Sequence, residues 1–232
     1  MDSVFAELLE FLLTAVDFLL HVDRYLLQLT ADYGLWVYGI LFLIVFAETG
    51  FVVTPFLPGD SLLFGAGAIA AAGSLDVRLL AILLVVAAIA GDAANYGVGR
   101  AAGTRIVARS RSDPRWARWV NPAYIEKAHG VFAQHGGKAV VLGRFMPIVR
   151  TFIPFVAGVA EMSYPAFAAY NVSGAILWVG ICVGAGYLFG NVPFVKENFS
   201  IVALGIVVIS LLPMVIEYVR YRRLKAGDVG AN

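Results

Sequence analysis

Apolar residues run along this chain in blocks separated by short polar or glycine–proline interruptions, and the block lengths predict its elements. Over residues 1–32, Phe5, Leu8, Leu9, Leu12, Leu13, Val16, Leu19 and Leu20 recur at helical spacing between acidic residues. That pattern predicts an amphipathic helix lying on the membrane surface or packed on the protein. Residues 33–48 are almost wholly apolar and predict a first span, a little short of the ~20 residues a crossing needs. Residues 50–74 contain Pro55, Pro58, Gly59 and Asp60, then the apolar stretch Leu62 to Gly73. This is too interrupted for a span and too apolar for an aqueous loop. A re-entrant hairpin is predicted, since irregular backbone at bilayer depth is tolerated where protein or a water-filled cavity surrounds it. Residues 78–99 form a second span. Residues 100–138 read as a polar, basic loop with Asp113-Pro114 and Asn121-Pro122 as turn signals. Residues 139–160 repeat the hairpin composition, 163–190 form a glycine-rich span, and 199–219 form the last. The expectation is an all-α polytopic membrane protein: an N-terminal amphipathic helix (1–32), one membrane transport domain (33–221) and a short tail (222–232).

Composition agrees. Of 232 residues 60% are hydrophobic and 14% charged, against about 25% charged in soluble domains. Net charge is +1 and names no partner, but its distribution sets a topology. Residues 1–32 carry six acids against Arg24, residues 100–138 carry eight Lys/Arg against two acids, and the tail carries Arg220, Arg222, Arg223 and Lys225. The excess of Lys and Arg places 100–138 and both termini in the cytoplasm. The first hairpin then dips in from outside and the second from inside. The halves share a loose pattern, with Pro55, Pro58 and Gly65-Ala66-Gly67 in one and Pro147, Pro154 and Ala157-Gly158 in the other. Opposed hairpins in two halves are the architecture of inverted-repeat transporters, whose site lies near the midplane.

The candidate chemistry is charge where lipid should exclude it. Each charge at bilayer depth costs about 2.5–3.5 kcal/mol, so Glu48, Asp60, Arg144 and Arg150 together cost about 10 kcal/mol unless they meet each other, water or a ligand. Arg144 and Arg150 sit six residues apart, roughly 240° around a straight helix, but Pro147 breaks that helix and could let them converge. Two guanidinium forks suit a phosphate, with the Thr151 hydroxyl as a further donor and the N–H groups near Pro154 adding to an anion site. They could equally form an internal ion pair with Glu48 or Asp60. A buried carboxylate ionises beside Arg and can hold a proton away from it, the alternation that proton coupling needs. Asp60 is also placed to cap a helix after Pro58-Gly59, and Glu48 could be interfacial. Asp92 and Asn95 share a helix face with Arg100 and predict a supporting polar cluster. Trp36, Trp116, Trp119 and Trp178 read as interfacial anchors or core, and His129 and His135 as solvated. Cys182 stands alone, no metal-ligand spacing is present, and no nucleotide loop or hydrolase motif points to an enzyme or a cofactor. No nucleic-acid partner is implied. The glycine-rich span could serve a homodimer or internal packing.

Three segments resemble the bacterial DedA family, which shares the so-called SNARE-associated, or VTT, domain: Glu48-Thr-Gly with Pro58-Gly59-Asp60, Gly91-Asp92 with Asn95-Tyr96 and Gly99-Arg100, and Arg144-Phe-Met-Pro147-Ile-Val-Arg150 with Ala157-Gly158. The match spans about residues 30–215. The resemblance implies an inner-membrane protein with two re-entrant hairpins. It also implies a lipid translocase that recycles undecaprenyl phosphate or a related phospholipid and depends on protons or membrane potential. By position, Glu48 and Asp60 match the family's acidic pair and Arg144 and Arg150 its essential arginines. A proton-coupled small-solute carrier and a structural membrane scaffold are the competing readings.

Overall fold

The computed structural model describes residues 22–51, 59–112, 137–206, 208, 209 and 212. Among these the regular structure is helical: α1 (Val22–Tyr33), α2 (Trp36–Gly50), α3 (Gly59–Ala71), α4 (Val77–Ser112), α5 (Lys138–Gly143), α6 (Pro147–Val159), α7 (Tyr164–Phe189) and α8 (Pro193–Glu197), then helical backbone over 199–206. Pro55 and Pro58, most of the expected N-terminal helix, residues 113–136 and the tail lie outside the described residues.

Local signals set the boundaries. After Gly50 the chain leaves α2 through Phe51 in extended backbone. Gly73, at φ 88°, ends α3 with the Ser74 N–H reaching back to the Ile69 carbonyl, a left-handed cap that glycine adopts freely. Asp76 then caps α4, its Oδ1 accepting from the N–H groups of Arg78 (2.8 Å) and Leu79 (2.9 Å). Pro147 occupies the first turn of α6, where its missing N–H costs nothing. Pro154 sits inside α6 and removes the donor that would have met the Arg150 carbonyl.

Within α4 and α7, Val77–Ala102 and Tyr164–Phe189 are each 26 residues long and strongly apolar, enough to cross a bilayer. α4 corrects the expected loop from residue 100, because helix continues to Ser112. No proline interrupts residues 100–112, and Ala and Arg propagate helix well. At 36 residues, α4 is ~54 Å long against ~30 Å of hydrocarbon, well beyond what one crossing needs. α2 and α3 are shorter, at 15 and 13 residues. Leu43, Ile82, Val98, Ile176, Ile181 and Leu188 are more than half exposed, an apolar surface that suits lipid contact.

Packing is reciprocal between the halves. α2 and α6 lie on α4, while α3 and α5 lie on α7. Two helix crossings use the same device. A methyl group on Gly67 would strike the Val183 carbonyl of α7, and one on Gly186 would strike the Phe64 carbonyl of α3. At the other crossing, between α4 and α6, Gly158 faces the Tyr96 carbonyl and Gly99 the Phe155 carbonyl. In all four segments the glycine stands three residues after the carbonyl that the opposing glycine neighbours (Phe64/Gly67, Tyr96/Gly99, Phe155/Gly158, Val183/Gly186). The absent side chains let backbones touch, the device that holds helices together without a hydrophobic driving force. The apolar core, including Leu41, Leu62, Leu63, Leu84 and Val179, fills the space between α2, α3, α4 and α7.

Candidate functional site

Two ion-pair systems stand side by side, and the ring of Trp178 neighbours both. In the first, Arg150 of α6 donates from Nη1 to Asp60 Oδ1 of α3 at 2.8 Å and from Nη2 to Glu48 Oε1 of α2. Three helices thus converge on one guanidinium. Glu48 Oε1 also accepts the Gly59 N–H at 3.2 Å, in the first turn of α3, where the helix dipole favours a carboxylate. A side chain at Gly59 would collide with that carboxylate. Asp60 Oδ1 accepts a further bond from Trp178 Nε1 at 2.7 Å. Glu48 is 1% and Arg150 6% exposed, so removing Arg150 strands the Glu48 carboxylate without a cation, while removing Glu48 leaves Arg150 with Asp60 alone.

In the second system Arg144, just before the α6 break, pairs with Asp92 of α4 at 2.9 Å. Its Nη1 donates to Asn171 O (3.1 Å) and Oδ1 (2.9 Å), and its Nη2 also to Ala88 O (3.2 Å). Asn171 Nδ2 in turn donates to Ile89 O at 3.1 Å. Arg144 therefore ties the α6 break to α4 and α7. Its Cζ lies 5.7 Å, and that of Arg150 5.0 Å, from the Trp178 ring centroid, both within cation–π range.

The two systems differ in how fully they are satisfied. Both Nη groups of Arg144 are engaged. In the first system, Glu48 Oε2 and Arg150 Nε are buried with no hydrogen-bond partner among the described residues. Each such atom costs about 1–3 kcal/mol, more when charged.

Several sequence expectations change here. Arg144 and Arg150 do approach one another, both beside Trp178 but paired with different acids. Trp178 is buried in the core, as one of its two expected roles has it, and its hydrogen bond to Asp60 adds it to the site. Asp92, Asn95 and Arg100 do not form one cluster. Asp92 pairs with Arg144, and Asn95 Nδ2 donates to the carbonyls of Thr49 (3.2 Å) and Thr151 (2.7 Å). Exposed Arg100 donates to Tyr96 Oη at 2.9 Å. Thr151 is fully buried. Asn171 was not anticipated, though a lone amide inside the apolar run of α7 was its signal. Among the described residues no His/Cys/Asp/Glu group could hold a metal.

Residues 57–188 match the family model of the VTT domain. That segment contains Asp60, Asp92, Arg144, Arg150, Asn171 and Trp178, while Glu48 precedes it. Protein DedA of Escherichia coli is 51% identical over 213 residues, covering 91% of this chain and 95% of that protein. An uncharacterized membrane protein of Mycobacterium tuberculosis is 38% identical over 189 residues (81% and 80%). The inner membrane protein YqjA of Escherichia coli is 34% identical over 180 residues (77% and 78%). No solved structure matches.

Proposed function

This chain belongs to the DedA family of VTT-domain membrane proteins, and on that premise we propose that it is an inner-membrane lipid translocase. It returns undecaprenyl phosphate or a related anionic phospholipid to the cytoplasmic leaflet, with both termini in the cytoplasm. The observation that carries the reading is the Arg150 clamp: one buried guanidinium shared by two carboxylates from two other helices. A lipid phosphate offers Arg150 the same paired oxygens that Glu48 and Asp60 now supply. When the phosphate takes the guanidinium, the carboxylates let go and are free to take up protons. Arg144, with its donors committed to Asp92, Asn171 and Ala88, positions the α6 break and is not the first contact for the lipid. With α2 as the first span, α3 and α5–α6 belong to two re-entrant hairpins, entering from opposite sides and rocking about the clamp. Carrying an anion inward opposes an inside-negative potential by about 2.3 kcal/mol per charge per 100 mV, which protons on Glu48 and Asp60 would offset.

The test is transport of undecaprenyl phosphate in proteoliposomes under an imposed proton gradient. The triple variant Glu48→Gln/Asp60→Asn/Arg150→Gln removes all three charges while keeping size, so no buried charge is stranded. It is expected to stay folded and lose at least tenfold in rate. A folded triple variant that transports at the wild-type rate would overturn the proposal. Arg150-dependent uptake of soluble phosphate without lipid transport would replace it with a small-solute carrier.

A further inference from the structure

The Arg150–Glu48 pair joins two helices that scarcely touch. α2 carries Glu48 and α6 carries Arg150. Each packs along α4, while α2 and α6 meet one another only slightly. Their spacing is therefore set through α4. Glycines bring both backbones close to that helix. A side chain on Gly91 would strike Thr49 Oγ1 and the Phe46 carbonyl of α2, and one on Gly99 would strike the Phe155 carbonyl of α6. Asn95 stands about one turn from each of these glycines, between the two crossings. It is buried. Its Nδ2 carries two hydrogens and directs one to each neighbour, to Thr49 O of α2 at 3.2 Å and to Thr151 O of α6 at 2.7 Å.

Thr49 follows Glu48, and Thr151 follows Arg150. One nitrogen therefore grips the main chain one residue beyond each member of the pair. The Thr49 carbonyl lies in the last turn of α2, where a helix has no N–H of its own to offer. The amide orientation is fixed, because an oxygen in place of Nδ2 would face two carbonyl oxygens. Among the described residues Oδ1 has no hydrogen-bond partner, so there the side chain acts through its nitrogen alone.

We infer that Asn95 is a positioning residue of the clamp: a strut that fixes the spacing of α2 and α6 and so sets how tightly Glu48 holds Arg150. The inference rests on the lipid-transport reading in one respect, that a phosphate competes with Glu48 for the guanidinium. A strut that seats the carboxylate then weakens phosphate binding and speeds its release. Leucine has the same branched shape and no donor, and glutamine has both donors on an arm one methylene longer.

The experiment uses the full chain in phosphatidylcholine nanodiscs. Asn95→Leu is made in the wild-type protein and in Glu48→Gln/Asp60→Asn/Arg150→Gln, which keeps both carbonyls but has no charge to position. The unfolding midpoint should fall in both, and by at least about 3 °C more in the wild-type background, the order of the coupling between neighbouring groups. Dodecyl phosphate is the binding probe. Its Kd should fall about fivefold in Asn95→Leu, the competition lost with one net hydrogen bond, whereas a variant that is only damaged binds more weakly. Should Asn95→Leu yield no folded protein, Asn95→Gln carries the same two comparisons, with the same signs at smaller size. Equal midpoint losses in the two backgrounds would overturn the strut, and so would unchanged or weaker binding of dodecyl phosphate. Wild-type protein that binds no dodecyl phosphate, or binds it no better than the triple variant, would remove the transport reading; the two midpoints would then decide the strut by themselves.

Discussion

Breaking the Arg144–Asp92 pair from one side should cost far more than deleting it. The two side chains are 3% and 7% exposed and 2.9 Å apart. Arg144→Met leaves Asp92 charged in a dry site, and Asp92→Leu leaves a guanidinium with only neutral acceptors. Stranding one member of a buried pair costs about 3–5 kcal/mol. For a chain of this size 1 kcal/mol shifts the unfolding midpoint by about 2–4 °C, so each single variant should lose about 6–20 °C. The double variant Arg144→Met/Asp92→Leu buries no charge. What remains is the Asn171 Oδ1 that Arg144 used to satisfy, worth about 1–3 kcal/mol. The double variant should therefore be more stable than either single one. Thermal unfolding in nanodiscs, followed by tryptophan fluorescence, measures all four proteins, and Trp178 lies against Arg144 and reports on the site directly. Additive losses in the double variant, or single losses under about 1 kcal/mol, would refute the pairing and with it the positioning role of Arg144.

Other expectations follow from single contacts. Trp178→Phe keeps a ring over both guanidiniums but removes the Nε1 bond to Asp60; about 1.5–3 kcal/mol should be lost, read as a lower unfolding midpoint in the same assay. Gly186→Leu and Gly158→Leu should each prevent close approach at a helix crossing. Overpacking of about 1–3 kcal/mol or more should appear as loss of the monodisperse peak in size-exclusion chromatography, whereas Gly180→Leu, where a side chain meets open space, should behave as wild type. Glu161 ends α6 at φ 54°, with the Met162 N–H bonded to the Ala157 carbonyl; Glu161→Gly should raise stability by about 1 kcal/mol, since the left-handed region costs a side chain about that much.

Much of this arrangement was legible in the chain because lipid leaves so few choices. A carboxylate or guanidinium inside an apolar run must find a partner, so Glu48, Asp60, Arg144 and Arg150 announced a site before any geometry was known. Which acid meets which arginine was not legible. Three carboxylates, Glu48, Asp60 and Asp92, were candidates, and the choice depends on how α4 and α6 cross, a contact set by Gly99 and Gly158 far along the sequence. Asp92, Asn95 and Arg100 share a face, yet Asp92 and Arg100 are ~12 Å apart along the axis, and each meets a different neighbour. Asn171 and Trp178 were hidden because α7 is apolar all round, and periodicity cannot say which side of such a helix faces protein. The end of α4 was misplaced for the opposite reason: charge was read as loop, although nothing in residues 100–112 breaks a helix.

The paired glycine crossings have a mechanical consequence. Where helices meet side chain to side chain, turning one against the other means re-sorting interlocked rotamers. At Gly67–Val183 and Gly158–Tyr96 the surfaces in contact are bare backbone, nearly smooth, so one helix can roll on the other like a journal in a bearing. The chain has two such bearings, α3 on α7 and α4 on α6, each joining one half to the other, and the Arg150 clamp ties them by pairing Arg150 of α6 with Asp60 of α3 and Glu48 of α2. In the proposed transport cycle, release of that clamp would leave both crossings to turn together.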